Sequence, residues 1–290
     1  MAKNLTFKLK SGDLMPLVGF GTYQIHGEEL IRDVLDKALG AGYRLIDTAK
    51  VYHNENEIGK ALKELLPKYN LTRKDIFITS KLSPQDQGDK AYEALQHSVH
   101  NLDCEYLDLF LIHWPGAFGT NSASNNNSKL RDRSWELLVQ GVKDGLTKNI
   151  GVSNYNVKHM RAILQKNHGI IPAVNQVEWH PHYHQADLKK LVDKEGILLQ
   201  AYSSLGGTNN PDLLTDKTVV EISKQLGKTS AQVLLRWSLQ QNIAVIPKAS
   251  SQKRIEENIK LDFVIPEEDM QKLSSIQFQN KYAWDPDTIA

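Results

Sequence analysis

Short apolar runs recur along this chain, and each is followed by a stretch with helical spacing. The runs fall at residues 18–21, 44–47, 76–80, 107–113, 149–152, 173–177, 198–202 and 244–246. Helical periodicity marks 28–39, 55–66, 90–101, 134–143, 157–166, 186–194, 218–226, 230–240, 251–259 and 267–276. In the first helix Leu30, Ile31, Val34, Leu35 and Ala38 share one face. Gly40 and Gly42 close that helix, and Pro67 is expected to end the second. A helix between consecutive strands returns the chain to the same end of the sheet, so the strands must be parallel. Eight such units favour a closed (β/α)8 TIM barrel over an open sheet. No shift in composition interrupts the pattern, so residues 1–290 read as a single domain.

Three segments stand outside the alternation. Residues 5–17 alternate around Ser11-Gly12-Asp13, which predicts an N-terminal β-hairpin acting as a lid over one end of the fold. Residues 116–128 are rich in Asn, Ser and Gly and predict a surface loop. That loop leaves the strand end that carries His113, so it is expected to border the mouth of any site there. Residues 280–290 form a short, irregular C-terminal tail.

Composition limits the partners. With 35 basic and 34 acidic residues the net charge is +1, which offers no general field for nucleic acid or an anionic membrane. There is one cysteine, Cys104, so no internal disulfide forms, and no Cys/His spacing suits zinc. No apolar stretch resembles a secretion signal or a membrane span. The expectation is a cytoplasmic protein without a metal.

Chemistry concentrates between Tyr43 and Gly59. The run Leu45-Ile46 stops at the carboxylate of Asp47, and Tyr52 follows before a helix starts at Asn54. The next two strands run into Lys81 and His113. Singly, such groups are a helix cap, a packed ring, a solvated amine and a rigid strand exit. Jointly, at the ends of successive strands, they suit protonation of a carbonyl oxygen while hydride arrives at carbon. In this reading Tyr52 is the proton donor, and the ammonium of Lys81 lowers its pKa. Asp47 is the counter-ion of Lys81, and His113 orients the substrate oxygen. A glycosidase would need two facing carboxylates. Only Asp47 and Glu178 are candidates, and neither has a convincing partner.

Several motifs carry a resemblance: Gly19-Phe-Gly-Thr22, Arg44-Leu-Ile-Asp-Thr-Ala49, Tyr52, Asn56-Glu-Ile-Gly59 and Lys81-Leu82. Further along stand Asp108-Leu-Phe-Leu-Ile-His-Trp-Pro115, Ile150-Gly-Val-Ser-Asn154, Asn175-Gln-Val-Glu178 and Ile246-Pro-Lys248. Together they make the chain resemble the aldo-keto reductases over essentially its full length. The resemblance implies that Asp47, Tyr52, Lys81 and His113 are the catalytic four and that Tyr52 is the general acid. It implies hydride transfer from C4 of a nicotinamide, and NADPH over NADH. Ser153, Asn154 and Gln176 would hold the carboxamide, and Tyr202 would stack on the ring. Lys248, Ser250, Ser251 and Arg254 would take the 2′-phosphate, and Glu257 and Asn258 the adenine. Gly21, Thr22, Tyr23, Asp47, Ser203 and Leu205 complete the cofactor contacts. No G-x-G-x-x-G follows a strand, which argues against a Rossmann site.

The substrate wall is expected from Tyr23, Tyr52, His113, Trp114, Phe118 and Trp284 or Tyr282. Aldehydes, ketones and sugar- or uronate-derived carbonyls are the candidate substrates, and a monomer is expected. Three positions depart from the family pattern: Ala249 stands where Ser is usual, Ser204 where Pro is frequent, and Tyr23 where some members have Trp. The alternative is a non-enzymatic NADPH-binding, sensing or structural protein on the same fold.

Overall fold

A computed structural model describes residues 5–207 and 210–290. The chain opens with an antiparallel hairpin, β1 (Thr6–Lys8) against β2 (Leu14–Pro16), with Phe7 opposite Met15. Leu9 and Met15 are buried beneath it. Asp13 accepts a 2.8 Å bond from the side chain of Asn149, near the start of a barrel strand. The hairpin therefore caps the N-terminal end of the barrel, opposite the strand ends that carry the chemistry.

Eight parallel strands follow: β3 (Phe20–Gly21), β4 (Leu45–Asp47), β5 (Phe77–Leu82), β6 (Leu107–Ile112), β7 (Thr147–Ser153), β8 (Val174–Glu178), β9 (Leu198–Tyr202) and β10 (Ala244–Val245). Each pairs with its sequence neighbour. The ring closes through a parallel bridge between Val18 and Val245. There Gly19 N–H donates to Val245 O at 2.8 Å, and Val245 N–H donates to Leu17 O at 2.8 Å. Closure brings backbones close together. A Cβ on Gly21 would sit 2.6 Å from Ile246 O, and one on Gly151 would sit 2.5 Å from Val174 O, so only glycine fits at either point.

The helices are α1 (Glu28–Ala41), α2 (Glu55–Lys68), α3 (Ala91–Asn101), α4 (Asn126–Lys143), α5 (Val157–Gln165), α6 (Ala186–Lys194), α7 (Asp212–Thr215), α8 (Lys217–Leu226), α9 (Ser230–Gln240), α10 (Gln252–Ile259) and α11 (Glu267–Ser274). Among the described residues none is long and apolar enough to cross a membrane. Most strand residues are buried on both faces because the helices cover the barrel's outside.

The structure corrects several boundaries. Pro67 does not end α2. It lies in the last turn, and the ladder resumes when Tyr69 N–H bonds Leu65 O at 3.3 Å and Leu66 O at 3.1 Å. Lys81 lies inside β5 rather than beyond it. Helix α4 begins at Asn126, eight residues before the expected 134. Its first turns lack an apolar face and are fastened to the preceding loop by polar side chains. Asn127 donates to Asn121 O and Ser122 O and accepts from Ala117 N–H, while Arg131 donates to Pro115 O. Hydrophobic periodicity cannot register a helix held in that way. The four-residue α7 was not expected either.

Candidate active site

Asp47 ends β4, Lys81 sits one residue before the end of β5, and His113 follows β6 directly. Tyr52 closes a short 3₁₀ turn just past β4. Neighbouring strands bring the three strand-end groups together, and the turn folds the tyrosine back over them. Lys81 is fully buried, and its ammonium has three acceptors: Asp47 Oδ1 at 2.7 Å, Thr48 O at 2.8 Å and Tyr52 Oη at 3.2 Å. Three N–H groups meet three acceptors, so the amine is saturated. Because Tyr52 Oη receives one of these bonds, its own hydrogen remains available to a ligand. The Tyr52 ring meets His113 edge-on at 5.7 Å and Tyr23 at 5.1 Å.

Two further side chains fix this group, and sequence reasoning had assigned neither a site role. Asn54 is fully buried and binds three segments at once. It donates to Thr22 O and Ile25 O, both at 3.0 Å, and accepts from Thr48 Oγ1 at 2.6 Å. Asn54 thereby ties the Tyr23 loop to the Tyr52 turn; from sequence it was visible only as a helix start. Gln200 accepts from Gln176 Nε2 at 2.8 Å, and that same nitrogen donates to Asp47 Oδ2 at 2.7 Å. A buried polar residue within an apolar strand was the available signal for Gln200.

Electrostatics overturn one expectation. Burial pushes the Tyr52 phenol well above its usual pKa, and the nearby Asp47 carboxylate pushes the same way. Asp47, 2.7 Å from the Lys81 amine, offsets part of its charge, so burial sets the net direction even though the ammonium donates to the phenol oxygen. Burial lowers Lys81, opposed by the attraction of Asp47. His113 is held well below its usual pKa by burial and then by Lys81. Its imidazole is therefore neutral, and Nδ1 is buried without a partner.

The expected cofactor residues divide into two groups. Ser153, Asn154, Gln176 and Tyr202 form one network beside the four. Ser153 Oγ donates to Gln176 O at 2.8 Å, Asn154 Nδ2 to His113 O at 2.9 Å, and Tyr202 Oη to Asn154 Oδ1 at 2.7 Å. Thr22 is buried and donates to Asp47 O at 2.8 Å. Ser203 has a left-handed backbone, φ 49°, and Leu205 packs on the core. Ser204 spends its hydroxyl on Ala201 O. Around the start of α10 the second group is open. Lys248, Ser250 and Arg254 are exposed, Ser251 caps the helix and accepts from Arg254 Nε at 3.0 Å, and Asn258 is buried. Glu257 is half-buried and lies 3.9 Å from Lys253. Ala249 is buried. Among the described residues no carboxylate pairs with Lys248 or Arg254.

The expected substrate wall is brought together only in part. Tyr23 is exposed beside Tyr52, and Trp114 is half-buried directly after His113. Phe118 and Trp284 are 73% and 64% exposed. Tyr282 is committed elsewhere, with its hydroxyl 2.8 Å from His182 Nδ1 and its ring against Gly207. Glu178 grips the tail through Lys281 Nζ at 2.9 Å and the N–H groups of Tyr282 and Ala283. Asp47 and Glu178 are thus both fully partnered, which removes the carboxylate pair of a glycosidase. A cleft of about 520 Å³ between α1 and α10 contains none of these side chains.

Comparison with known proteins agrees with this geometry. The sequence profile of the Aldo/keto reductase family matches residues 17–277. The chain is 39% identical to aldose reductase B of Dictyostelium discoideum, over 93% of this chain and 92% of that one. It is 36% identical to glyoxal reductase of Bacillus subtilis, over 98% and 97%. A solved aldo-keto reductase from a Medee basin deep-sea metagenome library superposes with TM-score 0.87 at 35% identity, covering 99% of this chain and 100% of that one. With a barrel closed in this way and a family profile spanning most of its length, the chain belongs to the aldo/keto reductase family, as an oxidoreductase acting on aldehydes and other carbonyl compounds.

Proposed function

We propose that this protein reduces aldehydes and ketones to alcohols with NADPH, with Tyr52 as the proton donor. The observation that carries the proposal is the bond from Lys81 Nζ to Tyr52 Oη, which leaves the phenolic hydrogen free to be donated to a ligand. The fit to a dinucleotide rests on two features of the same face: the amides of Asn154 and Gln176 beside Tyr202, and two cations near the N-terminus of α10 with no carboxylate partner among the described residues. When bound, the reduced nicotinamide supplies the hydride. Ser153, Asn154 and Gln176 would hold its carboxamide, and Tyr202 would pack on the ring. Lys248 and Arg254 would meet the 2′-phosphate that distinguishes NADPH from NADH.

The chain's own residues then divide the work. Neutral His113 offers a hydrogen bond that positions the carbonyl oxygen near Tyr52. As that oxygen gains charge it becomes far more basic than a phenolate, so a phenol of raised pKa still transfers its proton. The ammonium of Lys81 then faces the new phenolate, so developing charge meets a preorganised cation rather than water. Asp47 and Gln176 hold that cation in place. Aromatic Tyr23 and Trp114 flank the open side, which suits a small carbonyl compound.

Tyr52→Phe tests the reading. Reduction of a carbonyl panel should fall roughly 10²–10⁴-fold while NADPH binding is retained. Turnover equal to wild type would remove Tyr52 from the role.

A further inference from the structure

Between α4 and α5, outside the barrel, lies a cavity of about 120 Å³. Ser128, Arg131, Asp132, Tyr155, His159 and Lys166 are among its lining residues. With roughly 30 Å³ per water in the liquid, it has room for about four waters or one ion of four or five heavy atoms.

Two of its groups, Tyr155 Oη and His159 Nδ1, are buried without a partner, and a third, Arg131, is a buried cation with no carboxylate beside it among the described residues. Arg131 is buried, and its Nη1 donates to Pro115 O at 2.7 Å. Among the described residues no carboxylate pairs with it. Asp132, at the cavity's edge, is committed to Lys166 and to His168 Nε2 at 2.9 Å. Burial alone governs the guanidinium's lowered pKa, relieved only by the Tyr155 phenol. Tyr155 is buried and its hydroxyl has no partner. His159 Nε2 lies 3.0 Å from Ile289 O. A carbonyl only accepts, so Nε2 carries the hydrogen. Burial lowers this imidazole to about 4, so at neutral pH Nδ1 is a bare acceptor. Nδ1 is buried without a partner as well.

Waters could satisfy the phenol and the imidazole, but they cannot offset a buried guanidinium. Buried charges are normally paired, because an uncompensated one costs several kcal/mol. A small oxyanion that still carries a proton meets all three needs. It accepts from Arg131 and Tyr155 and donates to His159 Nδ1. We propose that this cavity binds a protonated small oxyanion of the hydrogen phosphate or bicarbonate class. Its occupant would brace three segments that reach the active-site face. Arg131 holds Pro115, two residues past His113, and Tyr155 directly follows Asn154. His159 and Lys158 both hold Ile289 O in the tail.

The test is thermal unfolding of the full chain at constant ionic strength and near-neutral pH, titrated with inorganic phosphate, bicarbonate or sulfate. The α10 cations could also take phosphate, so Arg254→Ala is measured in parallel. Phosphate at concentration c should raise Tm as RT ln(1 + c/Kd) predicts for one site, equally in wild type and Arg254→Ala. Arg131→Met should weaken that response roughly ten- to hundredfold, the worth of a charged hydrogen bond. Tyr155→Phe deletes only an unpartnered hydroxyl, so it should fold and still weaken the response, which covers the case of an unstable Arg131→Met. Sulfate has phosphate's shape but no proton for His159, and should bind roughly tenfold more weakly. Three outcomes would overturn the proposal: no single-site gain in wild type, as for a cavity holding waters only; a gain lost in Arg254→Ala but kept in Arg131→Met; or sulfate binding as tightly as phosphate.

Discussion

Lys81 and Lys248 both stand at the C-terminal ends of barrel strands, and the fold treats them oppositely. Lys81 has no exposed surface and three bonded acceptors, and its charge is neutralised by Asp47 before any ligand arrives. Lys248 is exposed, as is Arg254 in the first turn of α10, and among the described residues neither is paired with a carboxylate. The centre of the proposed site is therefore preorganised, while its phosphate end is left to the ligand. Preorganised dipoles in a buried site act without rearrangement. Exposed cations contribute little to the fold and can be spent on a diffusing anion. Substitutions at the centre should damage fold and chemistry together; those at the rim should alter binding alone.

The largest effect should come from Lys81→Met. It leaves Asp47 buried, with Gln176 Nε2 as its remaining side-chain donor. Removing one partner of a buried pair costs about 3–5 kcal/mol, because the other charge stays uncompensated. Urea denaturation should show a loss of that size together with loss of turnover. Stability within error of wild type would mean that the centre is no more committed than the rim.

The same contrast explains what was legible in the sequence. Asp47, Tyr52, Lys81 and His113 could be read because strand ends converge in a barrel and because those residue types match one chemistry. Burial and pairing were not legible. The expectation of a net lowered pKa at Tyr52 failed because burial, reinforced by the Asp47 carboxylate, outweighs the pull of Lys81 toward the phenolate. Asn54 looked like an ordinary helix start, since nothing local shows that its amide reaches Thr22 and Ile25. Tyr282 stands in the sequence as an alternative to Trp284 for the substrate wall, although its hydroxyl lies against His182. Each miss involves a partner far away in sequence. The start of α4 was missed for a related reason, since polar contacts to its own loop hold it.

Next in size is Arg254→Ala. A phosphate contact from an arginine is charge-assisted, so the Kd for NADPH should rise roughly ten- to hundredfold. Binding of NADH and Tm should stay unchanged, because Arg254 is exposed and its one side-chain bond is to Ser251. Equal losses for both dinucleotides would remove the 2′-phosphate from the rim.

A smaller effect is expected from pH. His113 is neutral in the fold because burial holds its pKa far down. The unfolded chain takes a proton there as pH falls through about 6.5. The folded state therefore keeps its full stability above that value and loses it below, by at most about 1.4 kcal/mol per pH unit for this group. His159, His180 and His184 shift in the same direction, so wild type should be compared with His113→Asn. Between pH 6.5 and 5.5 the variant should lose less stability than wild type. Parallel losses would mean that His113 is not neutral by burial.

The finest test of the contrast is salt. Raising ionic strength from about 0.1 M to 1 M shortens the screening length from roughly 10 Å to 3 Å. Exposed Lys248 and Arg254 should feel this fully, so the KM for NADPH should rise a few-fold. The Lys81–Asp47 pair is out of water, and screening hardly reaches it. At saturating NADPH, kcat should stay level across the series, and the KM for NADH, which lacks the 2′-phosphate, should stay nearly flat. If kcat fell with salt while the KM for NADPH held, solvent and ions would be reaching the four residues at the centre. The division into a closed catalytic end and an open binding end would then be wrong, even with every distance around Tyr52 intact.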